Sequence, residues 1–144
     1  MAAVLLLHAV LGAGLVAAGD RLGRRGAWIA LLAPIATLAW LASVAGPVLD
    51  GDDVTASWEW MAALDLRIDL RLDAFAVLML LLVAGVGTTI FTYSARYLPS
   101  SGSGVGRLVG LLVSFGGAMV GLVLADHLLV LHAFWELTSI TSFL

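Results

Sequence analysis

Long apolar stretches constrain this chain more than any other feature of its sequence. Four of them, at residues 2–18, 27–48, 74–93 and 105–125, carry at most one charged residue each. A helix of roughly 20 such residues crosses a hydrocarbon core about 30 Å thick. A fifth stretch, at residues 127–144, holds one acidic residue and reaches the last residue without a breaker or a charged flank. The sequence therefore predicts an all-α integral membrane protein with about five transmembrane helices, the fifth truncated.

We accordingly expect residues 1–144 to form the N-terminal part of a longer multi-pass membrane domain. Composition agrees, because 62% of the residues are apolar and only 12% are charged, against about 25% charged in a typical soluble domain. The net charge of −3 leaves no basic surface for a nucleic-acid partner. The absence of cysteine excludes disulfides and thiolate metal sites.

Arginine positions predict how the helices are oriented. Arg21, Arg24 and Arg25 follow the first apolar stretch instead of preceding it, which is typical of a retained helix and not of a cleaved signal peptide. Arg96 and Arg107 flank the connection between the third and fourth helices. Since arginine is enriched on the cytoplasmic side, we expect loops near residues 19–26 and after residue 93 to be cytoplasmic, with the N-terminus outside.

The outer segment between the second and third helices contains a strict alternation of apolar and charged residues at 64–73. A period of two places the apolar residues on one face of a strand and the charged ones on the other. The apolar set is Leu64, Leu66, Ile68, Leu70 and Leu72, and the charged set is Asp65, Arg67, Asp69, Arg71 and Asp73. We predict a short extended strand on the outer surface here, with Trp58 and Trp60 upstream in the headgroup layer.

Glycines in the third and fourth helices predict close helix packing. The fourth helix has two small-xxx-small pairs, Gly106/Gly110 and Gly117/Gly121. Such pairs let two helix backbones approach closely in lipid. Gly85 and Gly87 in the third helix are interpreted in the same way.

Glu136 is the candidate functional residue, since a charged side chain at the bilayer centre costs at least about 2.5–3.5 kcal/mol. It lies ten residues after Asp126, or about 15 Å along a helix, which places it near the membrane midplane. We expect it to be buried, either as a neutral acid or as a carboxylate paired with a cation. A group poised between these states can take up and release a proton. The alternative is a neutral glutamic acid with a purely structural hydrogen bond.

Polar neighbours extend this hypothesis along the fifth helix. His132 is four residues before Glu136, on the same face. Thr138 and Ser139, followed by Thr141 and Ser142, add hydroxyls suited to a hydrated path. Asp126 is predicted to cap the helix N-terminus, as its main role.

The remaining histidines predict no site of their own. We expect His127 to be an interfacial neighbour of Asp126, and both residues are secondary candidates for the proton path. His8, in an apolar helix, is interpreted as a packing residue. The three histidines do not have the spacing of metal ligands. We find no phosphate loop or nucleophile motif, so we expect neither a metal, a cofactor nor an enzymatic activity.

Several motifs carry a family resemblance. Leu-Ala-Asp-His-Leu-Leu-Val-Leu at 124–131 and Phe-Trp-Glu-Leu-Thr-Ser at 134–139 resemble the junction of the fourth and fifth helices in the MrpA subunit of Mrp-type cation/proton antiporters. Arg-Leu-Asp-Ala-Phe at 71–75, Gly-Val-Gly at 85–87 and Tyr-Ser-Ala-Arg-Tyr at 93–97 resemble the third helix of that protein.

The resemblance implies a membrane subunit of a multi-subunit Na⁺/H⁺ antiporter in the cytoplasmic membrane of a prokaryote. In that family, the glutamate that matches Glu136 pairs with a lysine on a later helix, whereas this sequence has no lysine. It also departs from the family at His127, where asparagine is usual, and at His132, where an apolar residue is usual. Two alternatives stay open: an antiporter-like subunit of respiratory complex I or a membrane-bound hydrogenase, and a membrane scaffold that transports nothing.

Overall fold

The computed structural model describes residues 1–61, 66–99 and 104–144, with the side chains of Met61 and Leu66 left out. Its elements, in chain order, are α1 (Ala2–Leu22), α2 (Arg24–Ala30), α3 (Leu32–Leu49), β1 (Val54–Met61), β2 (Leu66–Leu72), α4 (Ala74–Tyr97), α5 (Val105–Leu124) and α6 (Leu128–Phe143). Among the described residues, four spans are long and apolar enough to cross a membrane: α1, α2 with α3, α4, and α5. α6 is apolar but has only 16 residues. The predicted helical membrane fold with a short strand segment is confirmed.

The turn between α1 and α2 is tighter than predicted. Instead of a loop over residues 19–26, Gly23 alone separates the two helices, so that prediction is wrong. Gly23 has φ 51° and ψ −133°, a backbone conformation that costs glycine little because it lacks a Cβ. Arg21 therefore lies in the last turn of α1, and Arg24 and Arg25 begin α2.

The second span is interrupted where α2 meets α3, at Leu31. Pro34 lies in the first turn of α3. Proline has no N–H, so it cannot donate to the carbonyl of Ala30, four residues earlier. The missing hydrogen bond accounts for the break in an otherwise continuous apolar helix.

The outer segment forms a β-hairpin. β1 and β2 are antiparallel, with Val54 opposite Leu72 and Trp58 opposite Ile68. The strand predicted at 64–73 is confirmed over Leu66–Leu72; Leu64 and Asp65 lie outside the described residues. Its faces follow the alternation, because Leu70 and Leu72 are buried while Arg71 is exposed.

β1 was not predicted. Trp58 and Trp60 lie within this strand and are exposed. The apolar face of the hairpin joins a core cluster that contains Leu80 of α4 and Leu124 of α5. The hairpin therefore covers one end of the helix bundle.

α1 and α5 cross with their backbones in close contact. A Cβ placed on Gly106 would collide with the backbone of Gly19 and Asp20, and one on Gly110 would lie 2.6 Å from the Val16 nitrogen. The close packing predicted for this glycine pair is confirmed, and its partner surface on α1 includes Gly19.

The second pair on α5 is also confirmed, because Gly117 faces the side chain of His8 and Gly121 faces the ring of Phe134. The close packing expected at Gly85 is not found among the described residues, since a Cβ there would meet none of their atoms within 4 Å. At Gly87 the Cβ would make an ordinary contact, 3.5 Å from Cβ of Pro34. Gly85 and Gly87, both half-buried, therefore do not mark a close backbone crossing within the described part of the chain.

Two sets of hydrogen bonds define the ends of the bundle. The carboxylate of Asp20, at the end of α1, accepts hydrogen bonds from the backbone N–H of Gly104 (3.1 Å) and Gly106 (2.9 Å), at the start of α5. The two arginine-bearing connections therefore share one end. At the opposite end, the N–H of Asp126 donates to the carbonyl of Asp69 in β2 at 2.9 Å.

Candidate functional site

α6 begins at a histidine cap. His127 is the N-cap residue, and its Nδ1 accepts a hydrogen bond from the backbone N–H of Leu129 at 3.2 Å. The prediction that Asp126 caps this helix is therefore wrong. A side-chain acceptor at the N-cap satisfies one of the free N–H groups of the first turn, and here the imidazole supplies it.

Asp126 is instead held by the hairpin. Its Oδ1 lies 3.2 Å from Nε of Arg71, which also approaches Asp53 at 3.9 Å. Together with the backbone bond to Asp69, this ion pair ties the α5–α6 connection to β2. Asp126 is separated from Glu136 by eight residues of helix, about 12 Å of rise. The structure does not bring these two carboxylates together.

One face of α6 packs on α5 and sets the rotation of the helix. Val130 is buried, and the ring of Phe134 lies against Gly121. At 3.6 residues per turn, Glu136 and His132 fall on the side of α6 away from these contacts. The candidate carboxylate therefore faces outward from the four spans of this chain.

Glu136 and His132 are brought together as predicted. Nε2 of His132 lies 4.0 Å from Oε1 of Glu136, and the two side chains are 70% and 57% exposed. At this distance the contact is electrostatic and not a hydrogen bond; it is attractive when the imidazole is protonated. The expected burial of Glu136 is not found within this chain, because α6 contacts its neighbours through the opposite face.

The hydroxyls of α6 bond to the helix itself. Thr138 and Ser139 donate to the carbonyl of Trp135 at 2.6 and 3.3 Å, and Thr141 donates to the carbonyl of Leu137 at 2.7 Å. Such back-bonding satisfies a hydroxyl inside a membrane helix. Each oxygen keeps lone pairs that can accept from water. The arrangement is compatible with a hydrated path along α6.

The contacts of Asp73, Asp20 and Arg71 that position the helices were not predicted from the sequence. Asp73 is the N-cap of α4, where its Oδ1 accepts from the N–H of Ala76 at 2.7 Å. An acidic residue directly before an apolar run predicts an N-cap. This pattern is present at Asp73 as well as at Asp126. The contacts of Asp20 and of Arg71 join residues far apart in the chain, which no local pattern reveals.

His8 packs in the bundle as predicted. It is 4% exposed, its Nδ1 donates to the carbonyl of Val4 at 2.9 Å, and its Cβ lies against Gly117. Within the described ranges, no group of three or more histidine, aspartate or glutamate side chains is arranged to hold a metal ion.

Comparisons with known proteins relate this chain both to a complex I domain and to antiporter subunits. Residues 58–107 match the family model described as NADH-ubiquinone oxidoreductase (complex I), chain 5 N-terminus. The chain is 37% identical over 117 residues to the A1 subunit of a Na⁺/H⁺ antiporter from Staphylococcus haemolyticus, and 36% identical over 117 residues to the A1 subunit from Staphylococcus aureus. In each case the match covers 81% of this chain and 14% of the relative.

A solved structure supports the same relationship. The structure of the Mrp complex from Dietzia sp. DQ12-45-1b contains a chain that superposes with a TM-score of 0.83 at 36% identity, covering 99% of this chain and 15% of that one. The resemblance to MrpA that the motifs predicted is confirmed. The chain spans about one seventh of the length of these relatives.

Proposed function

We propose that this chain, a relative of the MrpA proteins of Mrp-type antiporters, forms part of a membrane subunit that exchanges Na⁺ for H⁺ within a multi-subunit complex. The similarity to antiporter subunits favours a transporter over an enzyme. The observation that carries the proposal is a carboxyl, Glu136, half-way along an apolar helix. Its proposed role is to take up and release the transported proton.

The cost of placing a carboxylate at this depth is the physical basis of the proposal. In the hydrocarbon region Glu136 has two stable states, protonated or paired with a cation. His132 is the neighbouring ionisable group, 4.0 Å away. Because Glu136 faces away from the other spans of this chain, a cationic partner other than His132 must come from a helix that approaches this face. A lysine is the partner that the family resemblance implies.

Replacement of Glu136 by glutamine tests the role of the carboxyl. The full protein with its partner subunits is reconstituted in vesicles, and proton release on addition of Na⁺ is followed with a pH-sensitive dye. We expect Glu136→Gln to abolish exchange while the complex still assembles, because the amide keeps the shape but cannot carry a proton. Glu59→Gln, in exposed β1, is the matched control and should exchange normally. Normal exchange by Glu136→Gln would refute the proposal.

We further propose that the N-terminus and the hairpin face outward and the arginine-bearing end faces the cytoplasm. Five of the seven arginines lie at that end, namely Arg21, Arg24, Arg25, Arg96 and Arg107. Residues 1–144 contain no cysteine, so single-cysteine variants report topology once any cysteine elsewhere in the full protein is replaced. A membrane-impermeant maleimide should label Thr55→Cys on intact cells and Pro99→Cys only after lysis; the reverse pattern would invert the topology.

A redox-driven proton pump is the second candidate, favoured by the complex I description of the family model that matches residues 58–107. In that case proton movement requires an electron donor and acceptor and does not respond to Na⁺. Addition of Na⁺ to vesicles without redox substrates separates the two functions, since only the antiporter then moves protons. A membrane scaffold, the third possibility, predicts that Glu136→Gln behaves as wild type in both assays.

A further inference from the structure

The helix bundle contains an apolar cavity that Glu136 does not line. A cavity of about 260 Å³ lies among α3, α4 and α5, with His8 of α1 in its wall. Most of its surface is apolar. Its wall includes Pro34, Thr37, Phe91, Phe115 and Gly116.

One nitrogen of His8 faces this cavity without a partner among the described residues. Nδ1 of His8 is bonded to the carbonyl of Val4, 2.9 Å away. A carbonyl can only accept, so Nδ1 carries the hydrogen, and in the neutral imidazole Nε2 is left as an acceptor. A Cβ built on Gly116 would lie 4.0 Å from Nε2, which places this nitrogen at the cavity wall. His8 itself is 4% exposed.

The other polar group in the wall, the hydroxyl of Thr37, offers no donor to the cavity. The hydroxyl of Thr37 donates its hydrogen to the carbonyl of Ala33 at 3.0 Å, and its side chain is fully buried. Its oxygen keeps lone pairs only. A molecule that bonds to Nε2 of His8 must therefore supply a hydrogen-bond donor.

The size of the cavity and the route into it further limit which molecules it can bind. An apolar cavity of about 150 Å³ binds benzene, so this larger cavity has room for one substituted ring between Phe91 and Phe115. Leu82, Val86 and Ile90 of α4 border the cavity and are 59%, 51% and 43% exposed on the outer face of the bundle. A molecule dissolved in the lipid can approach by that side.

We propose that this cavity is a binding site for a small membrane-soluble aromatic alcohol. Its O–H donates to Nε2 of His8, and its ring lies against Phe91, Phe115 and Pro34. The site does not depend on the proposed role of Glu136, which does not line the cavity.

Two probes of matched shape test the proposal by ¹⁹F NMR on the full protein with any partner subunits, in lipid nanodiscs. 4-Fluorophenol carries the donor, and 4-fluorotoluene replaces its hydroxyl with a methyl group. We expect a saturable bound signal for the phenol and about three- to tenfold weaker binding for the toluene, the worth of one net hydrogen bond. His8→Phe should remove the preference for the phenol.

Gly116→Leu fills the cavity and should abolish the bound signal. Its Cβ would make only ordinary contacts with His8, at 3.8 and 4.0 Å, so the variant should fold. Equal binding of the two probes in the wild type would overturn the proposal without any variant. A signal that never saturates, which indicates partition into lipid alone, would overturn it as well. So would a signal that persists in Gly116→Leu. Equal binding of the two probes, or partition into lipid alone, is expected if water, an acyl chain or a partner protein fills the cavity.

Discussion

The close crossing of α1 and α5 predicts that Gly110→Ala destabilises the protein. An alanine Cβ there would lie 2.6 Å from the backbone nitrogen of Val16 and 2.7 Å from the carbonyl oxygen of Gly12. Both are backbone atoms, which cannot move aside as a flexible side chain can. The two helices must therefore separate by about 0.8 Å to restore an ordinary contact of 3.4 Å.

The energetic cost follows from that displacement. A gap of 0.5–1 Å forfeits about a quarter to a half of the dispersion energy of the contacts it opens, and overpacking typically costs about 1–3 kcal/mol. Gly14 of α1 offers a matched control, because a Cβ there meets no described atom within 4 Å. Alanine favours a helix over glycine by about 1 kcal/mol, so Gly14→Ala should be neutral or stabilising.

We expect Gly110→Ala to be about 1–3 kcal/mol less stable than Gly14→Ala, by the overpacking range. Stability is measured by SDS-induced unfolding in mixed micelles, followed by tryptophan fluorescence. Both variants exchange the same residues, so helix propensity cancels in the comparison. Equal stability of the two variants would refute the close crossing of α1 and α5.

Three further substitutions test contacts that position the ends of the helices. Asp73→Ala removes the N-cap of α4 and should cost about 0.5–2 kcal/mol in the same unfolding assay; no loss would contradict the cap. Asp20→Ala leaves the first N–H groups of α5 without the carboxylate that joins them to α1, and should cost about 1–3 kcal/mol, whereas an unchanged midpoint would argue against that link. Asp126→Asn weakens a half-exposed ion pair with Arg71, so it should cost less than about 1 kcal/mol; a larger loss would show that the pair is more buried than the structure has it.

Hydropathy and alternation predicted most of this fold because both patterns are local. Apolar length identified the spans, and the period of two identified β2. The same period is present in β1, where Val54, Ala56 and Trp58 alternate with polar residues. Because tryptophan is also enriched in the headgroup layer, the alternation alone does not identify this strand. The single-residue turn at Gly23 depends on a positive φ, which the arginines around it do not reveal.

The candidate site was predictable in its chemistry but not in its surroundings. The spacing of four residues correctly paired His132 with Glu136. Burial depends on which face of α6 meets α5, and that is decided by the fit of Phe134 against Gly121. Likewise, Asp126 is drawn away from the cap position by Arg71, a tertiary contact with no local signal.

Infrared difference spectroscopy of the reconstituted protein measures directly whether Glu136 exchanges a proton. The carboxyl C=O stretch is recorded while the pH is cycled, in wild type, Glu136→Gln and the control Glu59→Gln. The proposed role predicts a protonated-carboxyl band that is present in wild type and in Glu59→Gln and is missing from Glu136→Gln. A difference spectrum unchanged by Glu136→Gln would contradict it, and would leave Glu136 without a part in proton transfer.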